Sequence, residues 1–391
     1  MTRPSPGEGA SGIDVARDRG IRRIGVEEEL LLVDAETFRP VPVVDDAIGP
    51  APGSVVAHGA LLEHEVKREQ IEVVSPPLST YGELVEAIVD GRRAADEAAR
   101  PVGARAAALA TSPLACDSHV VTTPRFDRMR ERFGLTMDEQ LTCGFHVHVS
   151  IDGREEGVGV LDRIRPWLPV LLALSANSPF WQGADSTFAS YRYQAWGRWP
   201  SAGTYEPFGS AAGYAAAVDE MIATGVAFDA GMVYFDARLS NHAPTVEVRV
   251  ADVCLAAEDA ATLAVLIRAL VETAAAGWRA GEPVDDVAGR VLRLASWRAS
   301  RSGVGGELLH PLSRRPVPAR EAVHDLYRHA RERFATTEEE VRVRHGLAEI
   351  LRRGAGADLQ RAELARHGTT AAVARRAVDL THRVPEVAGA P

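Results

Sequence analysis

Leu141-Thr-Cys-Gly-Phe-His-Val-His-Val-Ser-Ile151 alternates without a slip: Leu141, Cys143, Phe145, Val147, Val149 and Ile151 fall on one side, Thr142, Gly144, His146, His148 and Ser150 on the other. Alternation with period two marks a strand with one face on a core and the other polar. His146 and His148 therefore project together, beside a glycine that leaves room for a ligand at the backbone. Two imidazoles so placed suit metal ligation or hydrogen bonds to phosphate oxygens, whereas a single histidine there would read as structural. No Cys/His quartet for structural zinc accompanies them.

Three further segments carry charge in a related pattern. Ile24-Gly-Val-Glu-Glu-Glu-Leu-Leu-Leu-Val33 puts Glu27 and Glu29 on one face, with Val26, Glu28, Leu30 and Leu32 on the other. Neighbouring carboxylates repel and need cations or donors, which a hard metal ion supplies; taken alone, the pair fits a solvated strand face equally well. Thr245-Val-Glu-Val-Arg-Val-Ala251 divides in the same way, with Glu247 and Arg249 sharing a face. They make either an exposed ion pair or an acid beside a guanidinium that grips phosphate. Glu65-Val-Lys-Arg-Glu-Gln-Ile-Glu-Val-Val74 alternates less cleanly. Glu72 is its first candidate and Glu69 its second, with Glu65 on the other face unless a bulge intervenes.

Composition narrows the partners. The chain of 391 residues has Lys and Arg totalling 44 against 54 Asp and Glu, a formal charge of -10, and no basic block, so no nucleic-acid partner is expected. An anionic substrate would need locally placed cations or metal ions. Cys116, Cys143 and Cys254 are too few and too scattered for a disulfide framework and fit a reducing, cytoplasmic setting. Residues 1–19, rich in Gly, Ser, Pro and charge, read as a disordered leader without the apolar centre of a signal peptide. Ala260 to Trp278 is the longest apolar helical stretch but contains Arg268 and Glu272, so no membrane anchor is expected. Helices are predicted over Tyr81 to Arg100, over Arg163 to Ala176, and from about Pro318 onward in a charged C-terminal region with a helix start at Thr336 to Glu340. Gly305-Gly306 with Pro311, Pro316 and Pro318 is the best candidate for a connection.

If the strands join in one antiparallel sheet, Glu27, Glu29, Glu72, Glu247, His146, His148 and Arg249 meet on a single face. So many carboxylates need counter-charge, which two or three Mg2+ ions and a polyphosphate would provide, pointing to ATP chemistry. The same residues resemble the carboxylate–amine ligases of the glutamate–cysteine ligase type 2 family, relatives of the glutamine synthetase fold. The resemblance lies in Gly25-Val-Glu-Glu-Glu, Cys143-Gly-Phe-His-Val-His, Leu174-Ser-Ala-Asn-Ser-Pro-Phe-Trp-Gln-Gly183 and Thr245-Val-Glu-Val-Arg-Val-Ala-Asp252, in family order. Phe188-Ala-Ser-Tyr-Arg192 and Trp297-Arg-Ala-Ser-Arg-Ser-Gly303 also look like family positions, which suggests Arg192 and Arg301, and less so Arg298, as anion-binding cations. After Arg301 the family often continues Gly-Leu-Asp-Gly, whereas Gly303-Val-Gly-Gly306 lacks the acid, which bears on this loop and on substrate preference.

The resemblance implies an α+β fold: a curved antiparallel β-sheet funnel backed by α-helices, with a catalytic domain over 20–304 and a helical C-terminal region over 305–391 packed on it. It implies Glu27, Glu29 and Glu72 as metal-binding carboxylates, joined by Glu247 and His148. His146, His148, Glu247 and Arg249 become nucleotide or phosphate contacts, and Arg249, Arg192 and Arg301 catalytic cations. The expected reaction joins an acid, glutamate, to an amine, cysteine among the candidates, using ATP and Mg2+ through an acyl phosphate. Self-association is also implied. Three rivals are a phosphotransferase on the same sheet, a metal-dependent hydrolase using His146 and His148, and a catalytically silent nucleotide-binding protein.

Overall fold

A computed structural model describes residues 20–50 and 54–385; the leader expected over 1–19 lies outside the described residues. The strands are β1 (Ile24–Asp34), β2 (Ser54–Ala57), β3 (Ala60–His64), β4 (Gln70–Val74), β5 (Ala104–Ala107), β6 (Gly144–Ser150), β7 (Phe180–Trp181), β8 (Ala184–Asp185), β9 (Ala237–Leu239), β10 (Thr245–Asp252), β11 (Glu307–Leu309) and β12 (Pro316–Pro318). One open antiparallel sheet runs β2-β3-β4-β1-β6-β10-β9, and β5 pairs with the second half of β1. The two remaining pairs, β7 with β8 and β11 with β12, are separate hairpins.

Alternation decides which face the helices cover. Val26, Leu30, Phe145, Val147, Val149, Val246 and Val248 are all buried on the apolar side. The helices Tyr81–Ala99, Arg154–Ile164, Leu168–Ser175 and Ala257–Arg279 pack against that side or against one another behind it. Ala257–Arg279 is the one helix among the described residues long and apolar enough to cross a membrane, but 83% of its apolar window is buried inside the fold. The two charges in its middle are used there: Arg268 pairs with Glu339, and Glu272 accepts from Arg22 at 2.5 Å.

The helix at Tyr81 starts as its sequence suggests, with Thr80 and Glu83 forming a reciprocal capping box. The helix expected over Arg163 to Ala176 is instead split, because a 3-10 turn at Arg165–Trp167, built around Pro166, separates Arg154–Ile164 from Leu168–Ser175. The strand expected over Glu65 to Val74 begins only at Gln70, since 65–69 is a turn after β3. The connection placed at Gly305 to Pro318 contains the β11/β12 hairpin. Beyond it, Val323 and Leu326 of Ala319–Ala330 and Val343, Leu347 and Ile350 of Thr337–Arg353 join the same core as Leu263, Leu266 and Leu270.

Glu28 is the charge that β1 sends into this core. Arg92, on the buried stripe of Tyr81–Ala99, meets it bidentately, Nε at 2.9 Å and Nη2 at 2.7 Å from the two carboxylate oxygens. The same guanidinium also donates to the carbonyls of Cys254 and Leu255 at 2.6 and 2.8 Å, so it ties β1, the helix and the end of β10 together. Removing one partner of a buried pair leaves the other charge unsatisfied. Glu28→Ala is therefore expected to lower the unfolding free energy by about 3–5 kcal/mol in a denaturant titration, whereas truncating the half-exposed Glu97 should leave the unfolding midpoint essentially unchanged.

Candidate active site

Register assembles the opposite face. Glu63 lies across from Glu72, and Glu72 across from Glu29. Glu27 lies across from His146, while His148 faces Glu247, which in turn faces Arg238. Directly opposed residues of antiparallel strands share a face, so this side of the sheet carries a continuous charged row from β3 to β9. Among the sequence candidates, Glu27, Glu29, Glu72, His146, His148, Glu247 and Arg249 are all brought together.

Their contacts knit the row. His146 Nδ1 lies 3.1 Å from Glu27 Oε2, and His148 Nε2 lies 3.0 Å from Glu27 Oε1. Glu29 accepts the Gly144 N–H at 2.6 Å. Glu247 is gripped by Arg238, with Nε 2.7 Å from Oε2, and by Arg249 on its other oxygen. The Glu27 side chain keeps 23% of its exposure against 8% for Glu29, so the cluster opens to solvent at Glu27.

Two sets of ligand atoms lie close enough to hold a metal: Glu27, Glu72 and His146, and Glu27, His148 and Glu247, each within 4.8 Å of one another and both using Glu27. Carboxylate-rich donor sets suit hard divalent cations. The electrostatics agree. Burial raises the Glu27 carboxyl, but His148 and His146 outweigh it and hold the group well below its ordinary value. Burial likewise opposes ionisation of Glu247, yet Arg249, His148 and Arg238 keep it low. Burial and the negative charges of Glu27, Glu65, Glu29 and Glu63 push Glu72 well up. Glu65 rises to about 8 through burial and Glu29, with which it shares a hydrogen bond. The β10 side of the row is thus neutralised within the chain, and the β3/β4 side asks for an added cation.

The turn at 65–69 corrects the reading of this segment. It sends Glu65 toward Glu29 and turns Glu69 away, where it accepts from the His119 backbone at 3.0 Å and meets the His119 ring at 2.6 Å. Arg192 is buried at the Gly144 end of the row, donating weakly to the carbonyls of Val250 and Arg249 at 3.4 Å. Among the described residues, the buried Nε atoms of Arg192 and Arg249 have no hydrogen-bond partner, which fits guanidinium groups kept for an anion. Arg301 does not join them: it is exposed, donates to the Thr187 carbonyl and lies 5.6 Å over the Phe188 ring. Arg298 pairs with Glu307 at 3.1 Å instead.

Glu63, Arg238 and Asp252 are given no role by the sequence reading, and Glu65 is placed behind Glu69. A signal for Glu63 existed: His58 and Gly59, both at positive φ, form a two-residue hairpin turn before the alternating β3. Asp252, fully buried, explains the Leu174–Gly183 motif. It accepts from the Asn177 N–H at 2.8 Å, the Ser178 hydroxyl at 2.7 Å and the Ser190 hydroxyl at 2.8 Å, and its carboxylate lies 3.7 Å from Arg192. Gly144 is required by closeness, because a Cβ there would come within 2.3 Å of Arg192 Nη2 and 3.0 Å of His146 Nε2.

The same fold occurs in two solved ligases. A glutamate–cysteine ligase from Francisella tularensis, crystallised in complex with AMP, superposes with a TM-score of 0.64 at 13% identity over 93% of this chain and 89% of that one. A bifunctional glutathione synthetase from Pasteurella multocida gives the same TM-score of 0.64 at 13% identity over 93% of this chain and 52% of that one. Residues 23–379 match the model of glutamate–cysteine ligase family 2, and the chain belongs to that family. Relatives with the provisional names glutamate–cysteine ligase 2-1, from Paenarthrobacter aurescens, and glutamate–cysteine ligase 2, from Streptomyces coelicolor, are 51% and 49% identical, spanning 94% and 89% of this chain and 96% of each relative.

The raised carboxyls set a pH dependence with a definite sign. A carboxyl whose folded pKa lies above its unfolded value binds more protons when folded, so its stabilisation is present below the unfolded value and is lost as pH climbs to the folded one. Glu65, at about 8, and buried Asp236, raised by burial to about 7, both act this way. The melting temperature of the metal-free protein should therefore fall between pH 5.5 and 8, and added Mg2+ should raise it more at pH 8 than at pH 5.5, as read by differential scanning calorimetry.

Proposed function

We propose that the chain is an ATP-dependent, Mg2+-requiring carboxylate–amine ligase that condenses the side-chain carboxylate of glutamate with an amine, cysteine being the amine that the relatives' names support. The observation that carries this reading is the single row of carboxylates and imidazoles with two ligand groups meeting at Glu27, flanked by two buried guanidinium groups with free Nε atoms.

A carboxylate is a poor acyl donor because its leaving group would be oxide. Transfer of the γ-phosphoryl group of ATP to a carboxylate oxygen yields an acyl phosphate and ADP. Attack of the amine nitrogen on the carbonyl carbon then expels phosphate, and the nitrogen loses a proton to give the amide. Mg2+, when bound, would neutralise and orient the phosphates. Glu27, Glu72 and His146 would hold one ion, and Glu27, His148 and Glu247 a second. Arg249 and Arg192 would stabilise the charge on the group in transfer, with Arg192 positioned by Asp252. No protein nucleophile is needed. Cys143 is fully buried, burial and Glu29 push its thiol well above its ordinary value, and Gln70 Nε2 donates to its sulfur at 3.5 Å. Nucleotide use also fits the AMP bound by the Francisella enzyme.

ADP release over a matrix of acids and amines, with mass analysis of the condensed product, tests the reading. The expected result is ADP formation that needs both an acid and an amine, together with an amide product. Turnover without nucleotide, or a stable phosphorylated product insensitive to amines, would refute it. Glu27→Gln, at the one residue common to both ligand sets, should abolish ADP formation with the fold retained. Arg192→Ala should lower kcat about 100–1,000-fold, and Arg301→Ala less than about threefold, because Arg301 lies outside the cluster.

A further inference from the structure

Arg192 is held loosely by its own side chain and firmly by the chain beneath it. The guanidinium contacts are long, 3.4 Å to the carbonyls of Val250 and Arg249 and 3.7 Å to Asp252. The contacts at its backbone are shorter. Its N–H donates to the Ser178 hydroxyl at 3.0 Å, and the Tyr191 N–H donates to the Ser178 carbonyl at 2.9 Å. The Asn177 N–H and the Ser178 hydroxyl in turn donate to Asp252 at 2.8 and 2.7 Å. Where the guanidinium stands at the Gly144 end of the charged row is therefore set by the turn at Asn177 and Ser178.

That turn is gripped by the helix Gly356–His367 of the C-terminal region. Gln360 Nε2 donates to the Asn177 carbonyl at 2.8 Å and to Asn177 Oδ1 at 2.7 Å, and the Ala357 N–H donates to the Ala176 carbonyl at 2.9 Å. Asn177 Nδ2 completes the link by donating to the carbonyls of Ala108 and Val253 at 2.9 and 2.7 Å. Closeness requires a glycine at the start of the helix, because a Cβ on Gly356 would come within 2.1 Å of Asn177 Oδ1. Arg361 takes a second hold on the same segment: its Nε and Nη2 lie 2.9 and 2.6 Å from the two carboxylate oxygens of Asp185, and Nη2 donates to the Phe188 carbonyl at 2.9 Å. The helix thus clamps the chain leading to Arg192 at 176–177 and again at 185 and 188.

A helix docked for stability alone presents an apolar stripe. The residues buried by this one are Gly356, Ala357, Gln360 and Glu363, with no large apolar side chain among them and Leu359 only partly buried. Gln360 also keeps a buried Oε1 that has no hydrogen-bond partner among the described residues. A hydrocarbon side chain would avoid that cost, so the amide is accounted for by the two bonds that Nε2 gives to Asn177. We propose that Gln360 and Arg361 are positioning residues of the ligation: through Asn177, Asp185 and Phe188 the C-terminal helix fixes where the guanidinium of Arg192 meets the transferring group. The proposal rests on the ligase reading. A cation that stabilises a developing charge acts only at the right place, and a displacement of about 1 Å can cost roughly 100-fold in rate.

Steady-state ADP release by the full chain with ATP, Mg2+, glutamate and cysteine would compare the natural chain with Gln360→Met, which keeps the length of the side chain and loses both donated bonds, and with Arg361→Ala, at a partly exposed position that spares the core. The expected result is a kcat lower by about tenfold in Gln360→Met and about threefold in Arg361→Ala, with the KM of ATP within about twofold. In an Arg192→Ala background either change should lower kcat by less than about twofold, because the group it positions is gone. Leu347→Ala, in the core of the helix Thr337–Arg353, weakens the C-terminal region without removing either clamp. It should lower the melting temperature and leave kcat within about twofold. Unchanged kcat in both clamp variants, a loss that persists undiminished in the Arg192→Ala background, or a loss of kcat in Leu347→Ala as large as that in Gln360→Met overturns the assignment with the ligase reading standing. ADP release that neither cysteine nor any other amine of the matrix stimulates overturns both.

Discussion

Like charge crowded on one face of a sheet is the constraint from which the rest follows. Glu27, Glu29, Glu63, Glu72 and Glu247, with Glu65 leaning in from the turn, lie where water is partly excluded and each carboxylate raises the cost of ionising the next. The chain meets this unevenly. At β10 it supplies Arg238 and Arg249 to Glu247, and at β6 two imidazoles to Glu27, so these groups stay ionised. At β3 and β4 it supplies nothing comparable, and Glu72 and Glu65 are pushed well up by burial and by their acidic neighbours. A fold built only for stability would have balanced or removed those acids; retaining them is the signature of a site completed by a ligand.

The surroundings keep this arrangement rigid. The long helices pack on the apolar side, and the short helix Tyr191–Trp196 brings Arg192 to the Gly144 end of the charged row. Asp252 gathers the Asn177–Ser178 turn and Ser190 and places Arg192, so that a motif without obvious chemistry of its own governs where a guanidinium stands. Gly144 lets that guanidinium and His146 approach the same stretch of backbone.

Much of this was legible because alternation is strict in β6 and runs through the charged positions of β10, and because Glu27 and Glu29 of β1 stand two apart. Period two assigns a face to every residue, and once the strands pair, the shared face follows. Legibility failed where the period broke. Glu65 and Glu69 were read onto one face of a strand with Glu69 the better candidate, but the turn at 65–69 brings Glu65 to the cluster and sends Glu69 away, and no pattern internal to the segment could foresee it. Arg301 was read from its place beside a matched motif, but its neighbours are set by how the helix Gly289–Ser302 packs near Phe188, which local sequence does not record. Arg92 shows a middle case: it extends the Leu84 and Ile88 stripe by one turn, so its burial was written in the helix period, but its partner Glu28 lies 64 residues away.

The three consecutive glutamates of β1 also guard against misfolding. Glu28 belongs inside with Arg92, and its two neighbours belong outside with the imidazoles. If β1 paired one position out of step, two carboxylates would enter the hydrocarbon interior where one guanidinium waits, and the third would be stranded among other acids without its cation. Such a misaligned chain is penalised on both sides of the sheet at once, so the residues that give the face its chemistry also act as an error check on strand alignment.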